Sequence, residues 1–161
     1  MSMPKPDTTH WIAVTDNRWA RLIRFQPTEA GRWHAEEVQV IRSDWEPHQD
    51  RHEKAEPTQT LANTPEHARH GHSWGHKKEE ETKRFAKVVA AWLDERASDL
   101  RIAKLDVFAP DHFLGPLRKS WPKKLATLIT EHDLDLTHLK PSEFLENPTV
   151  ASILAADSVG V

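Results

Sequence analysis

Phe85, Val88, Val89, Trp92 and Leu93 fall at i, i+3, i+4, i+7 and i+8, which places five large apolar side chains on one stripe of a helix. Such a stripe must be covered, and the stretches before and after it say by what. His10–Thr15, Trp19–Gln26 and Trp33–Ile41 are short runs rich in β-branched and aromatic residues. In the second run Trp19, Arg21, Ile23 and Phe25 alternate with Ala20, Leu22 and Arg24, a period of two. Asp16-Asn17-Arg18 and Pro27 to Gly31 supply the turns between them. Three strands joined this closely form an antiparallel meander, and the helical stripe packs on it.

The stripe predicts a helix over His76–Ala97, with Glu79–Lys83 and Glu80–Arg84 as i,i+4 pairs on its wet face. Leu105–Ala109 reads as a buried strand stopped by Pro110. Asp111 is placed to cap a helix running to Trp121, with Phe113, Leu114 and Leu117 inward. A helical turn follows near Leu125, then a strand near 127–132, and a last short helix starts at Pro141. The fold class is therefore α/β: a single domain with a mixed sheet in the order βββ-α-β-α-β-α and a long loop before the long helix. Residues 10–146 form this domain. Residues 1–9 are expected to be a flexible N-terminus, 147–161 a tail, and 43–75 a mobile insertion holding Pro47, Pro57 and Pro65 and few large apolar residues.

Composition narrows the chemistry. The chain has 161 residues and no cysteine, which excludes disulfides, thiolate metal sites and cysteine nucleophiles. Lys and Arg number 22 against 25 Asp and Glu, so a basic clamp spread over the whole surface is excluded but a local basic patch is not. No run approaches the ~20 apolar residues of a membrane span. The N-terminus does not read as a secretory signal, and a cytoplasmic location is expected. The five glycines form neither a dinucleotide fingerprint nor a P-loop.

Four groups of residues can carry chemistry. His67, His70, His72 and His76 have close spacing suited to Zn²⁺ or Ni²⁺, although a solvated polar loop has the same composition. No resident cofactor is expected beyond weak binding of such ions there. Asp16 and Asp106 suit two-metal hydrolysis if they converge. Polar groups at strand ends (Asp16, Arg21, His112, Gly115, Thr137 and His138) suit ligand binding or, equally, capping and turns. Finally, Lys77 and Lys78 with Lys83, Arg84 and Lys87, and Arg118 and Lys119 with Lys123 and Lys124, make a phosphate-binding patch if they share a face. Trp74 and Trp121 would then be available for stacking.

Several segments together resemble a known family. They are Trp11-Ile12-Ala13-Val14-Thr15-Asp16 followed by Ala20-Arg21-Leu22, the charged helix start with Phe85-Ala86, Ala109-Pro110-Asp111-His112-Phe113-Leu114-Gly115-Pro116-Leu117-Arg118, and Asp135-Leu136-Thr137-His138-Leu139. In this the chain is similar to the bacterial host attachment proteins. The resemblance implies a ribonuclease-H-like domain related to the central domain of archaeo-eukaryotic peptide-chain release factors. The Gly-Gly-Gln loop of those factors is absent, and His70-Gly71-His72-Ser73-Trp74-Gly75-His76 stands there instead. Without the glutamine that places water at the ester, peptidyl-tRNA hydrolysis by that route is not expected. The expected activity is non-catalytic binding to RNA or the ribosome, with neither DNA nor membrane as partner. The alternatives are a metal-dependent hydrolase using the His-rich loop or Asp16/Asp106, and a protein–protein adaptor in attachment to host cells.

Overall fold

The computed structural model describes residues 8–45 and 65–159, with the helical stretches 65–74 and 157–159 described in backbone only. Three strands open the fold: β1 (His10–Thr15), β2 (Trp19–Pro27) and β3 (Trp33–Arg42). A long helix α1 (Pro65–Asp99) leads to β4 (Leu105–Ala109). Helix α2 (Asp111–Ser120), the turn α3 (Lys123–Ala126), β5 (Ile129–Asp133), α4 (Pro141–Phe144) and α5 (Pro148–Val159) complete it. The sheet has five strands in the order β3-β2-β1-β4-β5. β1 and β2 pair antiparallel, as do β2 and β3, whereas β1, β4 and β5 run parallel. This is the single mixed α/β domain that the alternating apolar pattern predicts.

Side chains of alternate parity leave the sheet on opposite faces. One face carries Trp11, Ala13, Leu22, Leu105 and Val107, and the stripe of α1 from Phe85 to Ala97 packs on it together with Phe113, Leu117 and Leu125. Ile12, Val14, Ile23, Phe25 and Phe108 line the other face, beneath Leu136, Phe144, Val150 and Leu154. No helix among the described residues is long and apolar enough to cross a membrane.

Three expectations differ from the structure. Helix α1 starts at Pro65 rather than His76. The last part of the expected insertion is thus helical, and residues 46–64 lie outside the described residues. The sequence before Phe85 has no apolar stripe to signal a helix, and Gly75–Glu80 are all exposed. Likewise, the expected tail forms α5, anchored by Val150 and Leu154 on the second face. Lastly, Asp111 does not cap α2. Pro110 occupies the N-cap with no side-chain bond, and Asp111 stands in the first turn, where its charge favours the helix dipole.

Between α1 and β4 the chain turns through Arg101, the one described non-glycine residue at positive φ, 53°. The Ile102 amide closes on the Ala97 carbonyl at 2.9 Å, the long bond of a helix end that favours glycine in the left-handed position. Arg101→Gly is therefore expected to raise stability by about 0.5–1 kcal/mol. A thermal melt checks this, and a lowered midpoint would show that the arginine side chain itself stabilises the turn.

Candidate functional site: a basic groove between two helices

Helices α1 and α2 lie side by side over β4 and leave a groove of about 730 Å³ between them. From α1 come Gly75, Lys78, Glu79, Thr82, Lys83 and Lys87, and from α2 come His112, Gly115, Pro116, Lys119 and Ser120. The spacing explains the membership. Positions 112, 115, 116 and 119 form one helical stripe beside the inward stripe of Phe113, Leu114 and Leu117. Four lysines thus face one glutamate. The neighbouring acids are turned to other partners: Glu80 lies 3.3 Å from His76 Nε2 and Glu81 3.4 Å from Arg84. No carboxylate among the described residues pairs with Lys78, Lys83, Lys87 or Lys119. The two hydroxyls of the groove donate to backbone carbonyls of their own helices, Thr82 to Lys78 at 2.9 Å and Ser120 to Pro116 at 2.8 Å. With their protons committed in this way, they are not poised as nucleophiles. The arrangement is suited to holding an anion.

Of the residues expected from sequence, Lys78, Lys83, Lys87, His112, Gly115 and Lys119 meet here. Lys77 neighbours them on α1 but does not line the groove. Arg118 turns away: its Nε and Nη2 donate to Glu131 at 2.9 and 2.8 Å. That hydrogen bond and the Glu131 charge raise the Arg118 pKa above its ordinary value. Trp121 also donates to Glu131, at 3.0 Å, so its indole braces α2 against β5 rather than standing free for stacking. The side chains of Trp74, His67, His70 and His72 lie outside the described residues. Among the described residues no group of three His, Asp or Glu could hold a metal ion. Thr82, Pro116 and Ser120 also line the groove.

A second constellation ties the opposite face. Arg21 is 5% exposed, forms an ion pair with Glu37, and donates to the Thr137 and Leu139 carbonyls at 3.0 and 2.6 Å. Its guanidinium lies 5.3 Å from the ring centroids of both Trp19 and Phe144. Thr137 Oγ1 lies 2.6 Å from Asp135 and 3.2 Å from Asp16. Asp16 also accepts the Arg18 and Trp19 amides, closing the β1–β2 turn. Asp16, Arg21 and Thr137 are therefore together, in a knot that fastens the segment after β5. His138 is exposed on that same segment.

The third constellation corrects the Asp16/Asp106 form of the hydrolase alternative. Asp106 pairs across the sheet with Ile12, four residues before Asp16, so about 13 Å of strand separates the two carboxylates. They cannot share a pair of metal ions roughly 4 Å apart. Instead Asp106, 2% exposed, accepts from His10 and His132, each at 2.8 Å. Burial alone would push this carboxyl up. The two hydrogen bonds, and the charge of the imidazoles behind them, outweigh burial and hold it below the ordinary carboxylate value. His132 stacks on Phe108 with ring centroids 4.4 Å apart. The residues joined are far apart in sequence, and no local pattern announces them.

Against known proteins, the chain matches one family model, described as a protein required for attachment to host cells, over residues 11–147. No curated protein matches it.

Proposed function

We propose, for a chain that belongs to the family of proteins required for attachment to host cells, that it acts as a binding module whose α1–α2 groove holds the phosphate backbone of RNA, free or within the ribosome. One observation carries this reading: four lysines without carboxylate partners among the described residues converge on a single groove of a chain whose overall charge is negative. Phosphates that enter displace counterions from such a cluster, which gives affinity with a steep salt dependence. The apolar stems of the lysines and the Gly115–Pro116 surface provide apolar lining, and Glu79 is the one acid among the lining residues.

Fluorescence anisotropy with a labelled single-stranded RNA tests it. If all four lysines meet phosphate, the logarithm of the binding constant falls with the logarithm of salt at a slope of roughly −3. Lys78→Gln with Lys119→Gln should halve that slope and weaken binding at least tenfold at low salt, roughly as loss of two phosphate contacts requires. Binding that ignores salt, or is unchanged in the double variant, would refute the proposal.

The family description favours a second reading, a protein–protein adaptor. An acidic partner protein would use the same lysines. Affinity capture that returns one protein and no nucleic acid would select it.

A further inference from the structure

On the second face of the sheet, away from the lysine groove, lies an apolar pocket of about 400 Å³. Arg32 and Trp33 line it from the β2–β3 turn and the start of β3, Leu145 from the residue after α4, and Ala151, Leu154 and Ala155 from α5. The three α5 positions fall at i, i+3 and i+4, on one face of that helix. Leu154 is buried, Trp33 and Leu145 are half-buried against the core, and the two alanines leave the space that longer side chains would fill. The turn holds the Arg32 backbone in place. Its amide donates to Thr28 Oγ1 at 3.3 Å, its carbonyl accepts from the Thr28 amide at 2.6 Å, and Gly31 takes a left-handed φ of 77° just before it. No carboxylate among the described residues pairs with Arg32.

The chemistry of the lining decides the ligand. Among the described residues, its polar side-chain atoms are the Arg32 guanidinium nitrogens and the Trp33 indole nitrogen, all of them donors. An ammonium group finds no side-chain acceptor there, and a peptide would bring amide N–H groups that the apolar walls leave unsatisfied. A carboxylate on an amide-free chain fits both halves. The guanidinium fork takes its two oxygens, and the tail displaces water from the leucines, the alanines and the indole. The volume is at the small end of the range for small-molecule sites, which suits a short tail. We infer that this pocket binds a straight-chain fatty acid of medium length, with its carboxylate on Arg32 and its tail against α5. The inference does not rest on RNA in the lysine groove.

The test is an NMR titration of the full chain with hexanoate, octanoate and decanoate, each kept below the concentration at which it self-associates, and with octanamide and octylammonium. Octanoate should shift the amides of Arg32, Ala151 and Ala155 and the indole N–H of Trp33. Affinity should rise about two- to fourfold for each added methylene. Octanamide should bind about three- to tenfold more weakly than octanoate, the range a solvent-exposed guanidinium–carboxylate pair supports, and octylammonium more weakly still. In Arg32→Gln the preference for octanoate over octanamide should fall to about one. Ala151→Phe fills the pocket and should abolish binding of both, with a thermal melt to report its fold. Arg32→Gln alters an exposed turn residue and keeps the inference falsifiable whatever the melt of Ala151→Phe shows. Equal affinity for octanoate, octanamide and octylammonium, octanoate shifts absent from these residues, or a preference that survives Arg32→Gln would overturn the inference.

Discussion

Asp106→Ala is expected to destabilise the domain by about 3 kcal/mol, because removing one partner of a buried hydrogen-bonded cluster leaves the others without compensation. His10 and Asp106 are nearly inaccessible to water. The alanine leaves two imidazole N–H groups without an acceptor and a hole between β1, β4 and β5. For a domain of this size the thermal midpoint should fall by roughly 6–12 °C. Asp106→Asn keeps the shape and one acceptor, and an imidazole can switch tautomer to accept from the amide, so about 1 kcal/mol is expected. The two variants also separate charge from packing through pH. The native carboxyl is held below its ordinary value of 3.8, so its contribution is present above that pH and is lost as pH falls through the lower folded value. Urea unfolding of the native chain and of Asp106→Asn should therefore converge in stability as pH falls below about 4. A constant difference between them would show that the cluster acts only by shape.

Arg21→Met should cost a similar amount, about 3 kcal/mol, for a different reason. Methionine replaces much of the aliphatic volume but none of the donors. The carbonyls of Thr137 and Leu139 lose their partner, and Thr137 is buried. Glu37 loses its ion pair, and the cationic contact with Trp19 and Phe144 is lost as well. Arg21→Lys retains a charge but not the fork that serves three acceptors, so it should recover less than half of the loss. Denaturant unfolding gives the magnitude, and hydrogen exchange locates it. Amides of residues 134–140 should lose protection first, since Arg21 is what fastens that segment to the sheet. Uniform loss of protection throughout the chain would contradict that role.

The parts of the fold legible in the sequence were those whose signals are local. Strand parity in Trp19–Gln26 and the stripe from Phe85 to Leu93 each repeat within one turn or one pleat, and both faces of the sheet follow from them. Pro65–Gly75 carries no apolar stripe in its sequence, so its composition suggests a loop. Val150 and Leu154 did carry the i,i+4 signal of α5, obscured by small residues around them. The groove was half legible. Each lysine group could be read, but their meeting depends on α1 lying along α2, a tertiary fact. His10, Asp106 and His132 were beyond reach, since separations of 96 and 26 residues leave no periodic trace. Asp16 and Asp106 looked alike as strand-end carboxylates until the β1–β4 register set them apart.

The proposed occupancy of the groove between α1 and α2 by RNA is tested most directly by the reactivity of individual lysines toward an amine-modifying reagent. With saturating RNA, Lys78, Lys83, Lys87 and Lys119 should become protected, while the exposed Lys104 and Lys140 on other surfaces should react as before. Protection of Lys104 or Lys140 with the four groove lysines still reactive would place the partner elsewhere and contradict the account.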